Sequence, residues 1–501
     1  MISLKAFFAK QLAKYAVHKT KRWSNNPIQT QERVLIDLVS KAEKTAFGKE
    51  HDFHAIQFYK DFKSRVPVRD YEDLRPYIDR VRKGEESVLW PGKPLFFAKT
   101  SGTTSGAKYI PLTKDSMAFQ ISAAKDALLH YIDRSGNADF VDGKMIFLQG
   151  SPILNQSEAI PNGRLSGIVA NYVPSYLQRN RLPSYSVNCI EDWEEKLGSI
   201  VQETLNEDMR LISGIPSWVQ MYFEKLQHLS GRSISELFPK FSLFVYGGVN
   251  YEPYRAKFES MIGKNIDSLE LYPASEGFIA FQDNYKEKGL LLLLDSGIFY
   301  EFIPADEFNQ PNPSRISLID VKLGVNYVLI LSTNAGLWGY NIGDLVQFTS
   351  LNPFRIIVSG RVKHFTSAFG EHVIAKEVEE SMKESTRLFP ETIVSEFTVA
   401  PMINPVEGLP HHEWFIEFEE PPKNILSFSE ALDISLQNQN SYYKYLREGM
   451  VLRSLEIIPL KSGAFHDYMK SQGRLGGQNK IPRLANDRSI ADVLSAHQQN
   501  N

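Results

Sequence analysis

Short apolar runs alternate along this chain with longer stretches whose apolar residues recur at helical spacing. The rhythm is regular from Pro94 onward. Pro94–Thr100 reads as a strand entering a glycine-rich turn, and Tyr109–Leu112 as a second short strand. In Asp115–Ile132 the residues Ala118, Ile121, Leu128 and Ile132 share one helical face. Met145–Leu148, Arg210–Ile212, Leu243–Tyr246 and Leu269–Tyr272 read as buried strands, and Pro216 fits the first turn of a helix following the second of these. Strands alternating with helices predict an α/β domain.

Between Gly289 and Phe348 the period changes. Leu290–Leu294, Phe299–Ile303, Ile316–Asp320, Tyr327–Ser332 and Leu345–Thr349 read as strands joined by short turns, a mostly antiparallel β subdomain at about 289–350. Beyond Ser359-Gly360-Arg361 the pattern mixes a helix over Val373–Met382, strands at Ile393–Val399, Glu413–Phe418 and Leu455–Ile458, and helices at Phe428–Gln437 and Ala464–Ser471. The expected fold class is therefore α/β. A large N-terminal domain of mixed α/β layers, 1–360, carries the β subdomain, and a small mobile α+β C-terminal domain, 361–501, follows a hinge near 360–364. A chain of 501 residues exceeds the roughly 250–300 at which a single core stops growing, which agrees with this division.

Composition narrows the function classes. The formal net charge is -3, so no basic excess points to nucleic acid. Cys189 is the single cysteine and cannot close an internal disulfide, as expected in a reducing compartment such as the cytoplasm. Residues 1–23 are basic and mildly amphipathic without the apolar core of a secretory signal; they read as a surface helix packed on the main domain in preference to a membrane contact. No stretch of about 18 uncharged apolar residues occurs, so no stable membrane insertion is expected. Oligomeric state has no signature.

The densest chemical signal is Thr100-Ser101-Gly102-Thr103-Thr104-Ser105-Gly106-Ala107-Lys108, which places five hydroxyls, two glycines and a lysine between two predicted strands. Glycines let backbone N–H groups approach an anion, hydroxyls donate to phosphate oxygens, and the lysine supplies charge. It is not a Walker loop: three residues, not four, separate Gly102 from Gly106, and Ala107 intervenes before Lys108. A flexible polar loop is the plainer alternative.

Other segments are weak singly. Gly247-Gly248 at a strand's end admits a flat ring, or is a plain turn. In Leu271-Tyr272-Pro273-Ala274-Ser275-Glu276-Gly277 the tyrosine suits stacking on a base and Glu276 suits Mg2+ beside phosphates, though most glutamates are simply solvated. Asp344, closing Gly339-Tyr340-Asn341-Ile342-Gly343-Asp344, has two oxygens able to grip both ribose hydroxyls, or caps a turn. Arg361 and Lys363 mark the boundary, and Lys480 follows Gly476-Gly477 near the end, where any single lysine is by default a surface residue. His411-His412 on a strand point apart, which disfavours a shared metal.

In this order the pieces resemble the adenylate-forming superfamily of acyl-CoA synthetases, luciferases and nonribosomal adenylation domains. Three segments narrow the resemblance to a bacterial-type member of the Gretchen Hagen 3 (auxin-responsive) acyl acid amido synthetases: Phe62-Lys63-Ser64-Arg65-Val66-Pro67 through Gly84-Glu85; Thr333-Asn334-Ala335-Gly336-Leu337-Trp338 through Asp344; and Ser462-Gly463-Ala464-Phe465 followed by Gln478-Asn479-Lys480-Ile481-Pro482-Arg483. The resemblance implies a ligase with ATP and Mg2+ that converts a small-molecule acid to an acyl-adenylate and then to an amide, usually with an amino acid. It implies that Ser101, Gly102, Thr103, Thr104, Ser105, Gly106 and Lys108 hold phosphates. Tyr272 and Gly248 then flank adenine, Gly247, Ala274 and Ser275 also touch the nucleotide, Glu276 binds Mg2+ and Asp344 holds ribose. Lys480, Lys108 and Arg361 are the implied catalytic residues, with Arg361 also touching nucleotide. Departures from the plant pattern are Trp338-Gly339, where tyrosine and arginine are usual, Pro273, and the longer hydroxyl run. An acyl-CoA synthetase of the same fold, or a nucleotide-binding homologue without activity, shares much of this pattern. The acid pocket is expected around Met117–Tyr131 and Gly150–Tyr176, with Tyr131, Tyr172 and Tyr176 as ring-bearing candidates.

Overall fold

The computed structural model describes residues 3–103, 106–172, 179–248, 251–308, 310–361, 365–366, 368–371, 373–472, 481–485 and 487–499. Among them, twelve strands form one mixed sheet. Its first five strands, in spatial order Arg181–Leu182, Lys144–Phe147, Met209–Ser213, Leu243–Gly247 and Asp267–Pro273, are all parallel. They read as apolar runs because helices cover both faces of a parallel sheet. The antiparallel strands expected after Gly289 continue the same sheet beyond Phe278–Phe281. Leu290–Leu292, Phe354–Arg361, Tyr340–Leu351, Asn326–Thr333 and Ile298–Pro304 then follow as neighbours.

Two elements differ from their periodicity. Only Ile316–Ser317 pairs as a strand, on two rungs with Glu301 and Phe302; the chain then turns through Leu318–Asp320 and leaves Ile319 exposed. Val373–Ile374 pairs as a strand with Phe365–Thr366, and the helix starts after this β-branched pair, at Ala375, and runs to Leu388.

Around the sheet lie a three-stranded unit built on the hairpin Phe96–Thr103 and Gly106–Leu112, and a C-terminal three-stranded sheet of Ile393–Met402, His411–Glu420 and Glu456–Leu460. One apolar cluster runs from the large part into the C-terminal part, from Ile146, Trp218 and Phe244 to Phe369, Trp414 and Phe428. The segment from Phe62 onward leads into the sheet: Arg69 bonds through its backbone to Gly339 and Asn341 at 2.9 and 2.8 Å, placing Asp70 and Tyr71 beside the Tyr340–Leu351 strand. Trp338, one of the departures from the plant pattern, is fully buried against Phe53 at 4.8 Å between ring centroids, and its indole N–H donates to the Leu89 carbonyl at 3.0 Å. It is a core residue.

Candidate active site

Parallel strands expose their loops together at their carboxyl ends, and ligands of open α/β sheets gather there. A cleft of about 1930 Å³ opens at this edge. It is lined by Lys108 from the hairpin, Gly247 and Gly248 after the Leu243–Gly247 strand, Glu276 after the Asp267–Pro273 strand, and Asp344 from the antiparallel strand Tyr340–Leu351. Stretches more than two hundred residues apart thus meet around one space.

Each element positions its residue for a local reason. The hydroxyl-rich stretch is the tip of an antiparallel hairpin. Thr100 pairs with Lys108 and Thr103 with Gly106, with an irregular register between, so Lys108 is anchored on a strand beside the polar tip. Its ammonium lies 5.9 Å from the centre of the Tyr71 ring, whose hydroxyl accepts the Tyr109 N–H at 2.9 Å. Strand backbone is described for Ser101, Gly102, Thr103 and Gly106; Thr104 and Ser105 lie outside the described residues.

The glycine pair divides its work. A side chain on Gly247 would meet the Leu271 carbonyl oxygen at 2.4 Å, so its glycine answers to close packing of adjacent strands. Gly248 has φ +77 and open space where a Cβ would stand, so it alone both turns the chain and leaves room toward the cleft. Ala274 and Gly277 exchange backbone hydrogen bonds at 3.0 and 3.2 Å, a tight turn with Ser275 and Glu276 at its tip. Gln120 donates to the Ala274 carbonyl at 2.8 Å and fixes that turn to the helix Lys114–Ser135. Glu276 is buried.

Asp344 is also buried and pairs across the sheet with Arg361. The Tyr272 hydroxyl donates to its carboxyl oxygen, a contact the sequence does not announce. Tyr272 therefore has its ring on the cleft and its hydroxyl tied to the acid expected to hold ribose. Arg361 ends the strand Phe354–Arg361, with its backbone at the cleft edge beside Ser359 and Gly360; Lys363 and Lys480 lie outside the described residues.

The stretches expected to build the acid pocket, Met117–Tyr131 and Gly150–Tyr176, differ in where they lie. Tyr131 is fully buried and donates to Asp267 at 2.9 Å, Met117 is core, and Tyr172 packs edge-on to Phe96 at 5.6 Å; Tyr176 lies outside the described residues. The helix Lys114–Ser135 turns Met117 and Tyr131 into the protein because its buried stripe faces the sheet. Gly150 and Arg164, from the second stretch, line the cleft together with Leu148, Ile215, Trp218 and Tyr246. Arg164 was missed by sequence reasoning. Its guanidinium lies 4.8 and 4.6 Å from the ring centres of Tyr442 and Tyr445, which come from the C-terminal part. Tyr442 also donates to the Lys99 carbonyl at 3.2 Å, so both parts of the chain close the cleft. The available signal was the triple tyrosine of Ser441-Tyr442-Tyr443-Lys444-Tyr445 opening a helix.

Behind the cleft wall, the buried Lys196 ammonium donates to the carbonyls of Gln149 and Asn188 at 3.1 and 2.7 Å. Burial, aided by the nearby Arg164 charge, lowers its pKa to about 8. With this folded-state value below the unfolded one, the unfolded chain holds the extra proton between about pH 8 and the normal lysine range, so stability from this group rises with pH there. The melting temperature of the wild type relative to a Lys196→Met variant is expected to increase between pH 8 and 10; a constant difference across that range would contradict the assignment.

His411 and His412 face different partners, as alternation on a strand requires. His412 meets Glu371 at 2.9 Å, and His411 meets Arg453 at 2.7 Å.

Three family descriptions cover the chain in order: the GH3 family N-terminal domain over residues 16–172, the central domain over 291–361 and the C-terminal domain over 376–489. The chain belongs to the GH3 family. It is 22% identical to the jasmonoyl–L-amino acid synthetase JAR4 of Nicotiana attenuata, over 93% of each chain. It is also 22% identical to the indole-3-acetic acid-amido synthetase GH3.5 of Arabidopsis thaliana, over 94% of this chain and 91% of that protein. Among solved structures, the GH3.15 acyl acid amido synthetase superposes with TM-score 0.61 at 18% identity, covering 97% of this chain and 96% of that one. A 2-hydroxyisobutyryl-CoA ligase bound to 2-HIB-AMP and CoA superposes with TM-score 0.58 at 13% identity, covering 94% and 92%. The GH3 chain therefore has the α/β fold of adenylate-forming ligases.

Proposed function

We propose that this GH3 chain is an ATP-dependent ligase that activates a carboxylic acid as its acyl-adenylate and transfers the acyl group to the amine of an amino acid. The observation that carries the reading is the convergence of Lys108, Glu276 and Asp344 on one cleft in a chain of this family. In the first step a carboxylate oxygen attacks the α-phosphorus, the bond to the β-phosphate oxygen breaks, and pyrophosphate leaves. In the second, the amine nitrogen attacks the acyl carbon, AMP leaves, and the amine gives up a proton.

The residues fit the nucleotide. The hydroxyls and glycines of the sequence 101–106, with Lys108 on its hairpin strand, would supply donors and a cation for the triphosphate. Tyr272 and Gly248 leave a flat slot for adenine, and Asp344 accepts from the ribose hydroxyls while Tyr272 holds its carboxyl group. Glu276 presents a hard oxygen donor suited to Mg2+, whose other ligands would be phosphate oxygens and water. When bound, Mg2+ neutralises phosphate charge. Lys480 stabilises the forming adenylate, and the part after residues 360–364 reorients between the steps and keeps water from an easily hydrolysed intermediate. No described helix is long and apolar enough to cross a membrane; a single cysteine, unable to close an internal disulfide, supports a reducing compartment such as the cytoplasm.

The superposition on a CoA ligase favours a thioester-forming reading second. The test is pyrophosphate exchange and hydroxamate trapping over a panel of acids, followed by acceptor competition between CoA and amino acids. Acid-dependent exchange with amide formation is expected. A thioester without amide would establish the second reading, and ATP binding without exchange for any acid would leave a nucleotide-binding homologue.

A further inference from the structure

The helix Leu4–Ser24 packs against the helix Lys114–Ser135 with its small residues: Ala6, Ala13 and Ala16 are buried. Thr20 fixes its far end through a 3.0 Å hydrogen bond to His130. Its large apolar residues face the other way. Leu4, Phe7, Phe8, Leu12 and Tyr15 are between 52% and 73% exposed. A helix that serves only the fold turns its bulky apolar side chains inward and leaves alanine outside. Here the order is inverted, so the hydrophobic gain of five large side chains is unused in the folded chain.

The charge pattern identifies what would use it. At 100° per residue the five exposed side chains form one stripe, with Lys5 along one border, Lys10, Lys14 and Lys21 along the other, and Lys19 beyond Tyr15 at its C-terminal end. Leu4–Ser24 holds six lysines and arginines and no aspartate or glutamate; the first acidic residue of the chain is Glu32. This cationic island sits on a chain whose formal net charge is -3. An apolar strip bordered on both sides by lysines matches the boundary between acyl chains and anionic headgroups, where rings and leucines enter the lipid and ammonium groups reach phosphates. A second copy of the same helix would bring six more cations against the first six, so self-association through this face is opposed by charge.

We infer that the outer face of the helix Leu4–Ser24 docks the protein reversibly on an anionic lipid surface, lying in the interface plane without crossing it. The attachment is distinct from the nucleotide cleft, and its test does not depend on the ligase reaction. The full-length protein is sedimented with vesicles of phosphatidylcholine alone and of equal parts phosphatidylcholine and phosphatidylglycerol. Binding is expected only to the mixed vesicles, weakening as salt is raised. The double substitution Phe7→Ser with Phe8→Ser should lower the partition coefficient at least about tenfold, as should Lys10→Glu with Lys14→Glu, with thermal melting unchanged because all four side chains are at the surface. Absence of wild-type binding to the mixed vesicles, equal binding of the variants, or a protein dimer that the same substitutions dissociate would each overturn the inference.

Discussion

Replacing Asp344 with alanine is expected to raise the KM for ATP by at least roughly a hundredfold, with a smaller fall in kcat. Two hydrogen bonds to a carboxylate contribute about 1.5–3 kcal/mol each, and in the proposed reading both ribose bonds exist before and during adenylyl transfer, so their loss falls on binding. The residue is buried and held by the Tyr272 hydroxyl, which gives a graded companion. Tyr272→Phe keeps the ring proposed to flank the base and removes only the hydroxyl that bonds to Asp344. It should therefore weaken ATP binding by less than Asp344→Ala does. Calorimetric titration with ATP and Mg2+ measures both. Unaltered affinity in Asp344→Ala, with a melting curve showing a folded protein, would remove Asp344 from the nucleotide site. A larger loss in Tyr272→Phe than in Asp344→Ala would mean that the tyrosine does not act through the acid.

The coupling of Tyr272 to Asp344 also shows where sequence reading stops. Apolar runs placed four of the five parallel strands within a residue or two, because a strand covered on both faces has to be apolar along its length; the two-residue strand Arg181–Leu182 has no such run and was not foreseen. The hairpin tip was legible because hydroxyls, glycines and a lysine between strands have few other uses. What could not be read was which antiparallel strand returns to the parallel edge. Only the sheet order brings Asp344 beside Tyr272, seventy-two positions earlier in the chain. The same holds for Arg164 between Tyr442 and Tyr445. Arg164 has no local signature, and the tyrosine-rich helix start is a signal without a partner until the two parts of the chain meet. Tyr131 and Tyr172, two of the rings expected at the acid pocket, do not line the cleft, for a related reason. Aromatic residues at helical spacing signal a buried stripe without saying what it is buried against, and for Tyr131 that is the sheet. Gly247 shows the converse: it looks like a ligand glycine, yet the Leu271 carbonyl alone accounts for it.

Lys480→Ala is expected to slow adenylate formation by roughly 10²–10³-fold while leaving ATP affinity close to that of the wild type. The resemblance places this lysine against the α-phosphate, where negative charge accumulates only as the acid oxygen bonds to phosphorus. An interaction that strengthens in the transition state appears in kcat and not in binding. This split separates Lys480 from Lys108. Lys108 stands on a hairpin strand at the cleft; in the proposed reading it meets the phosphates from the moment ATP enters, so Lys108→Ala is expected to weaken ATP binding and catalysis together. A third measurement isolates the step: amide formation from preformed acyl-adenylate supplied to Lys480→Ala should proceed near the wild-type rate, because the bond to phosphorus has already been made. Undiminished acid-dependent pyrophosphate exchange in Lys480→Ala would exclude the lysine from the first step. Equal slowing of both half-reactions would mean that it orders the C-terminal part as a whole and does not act at the α-phosphate.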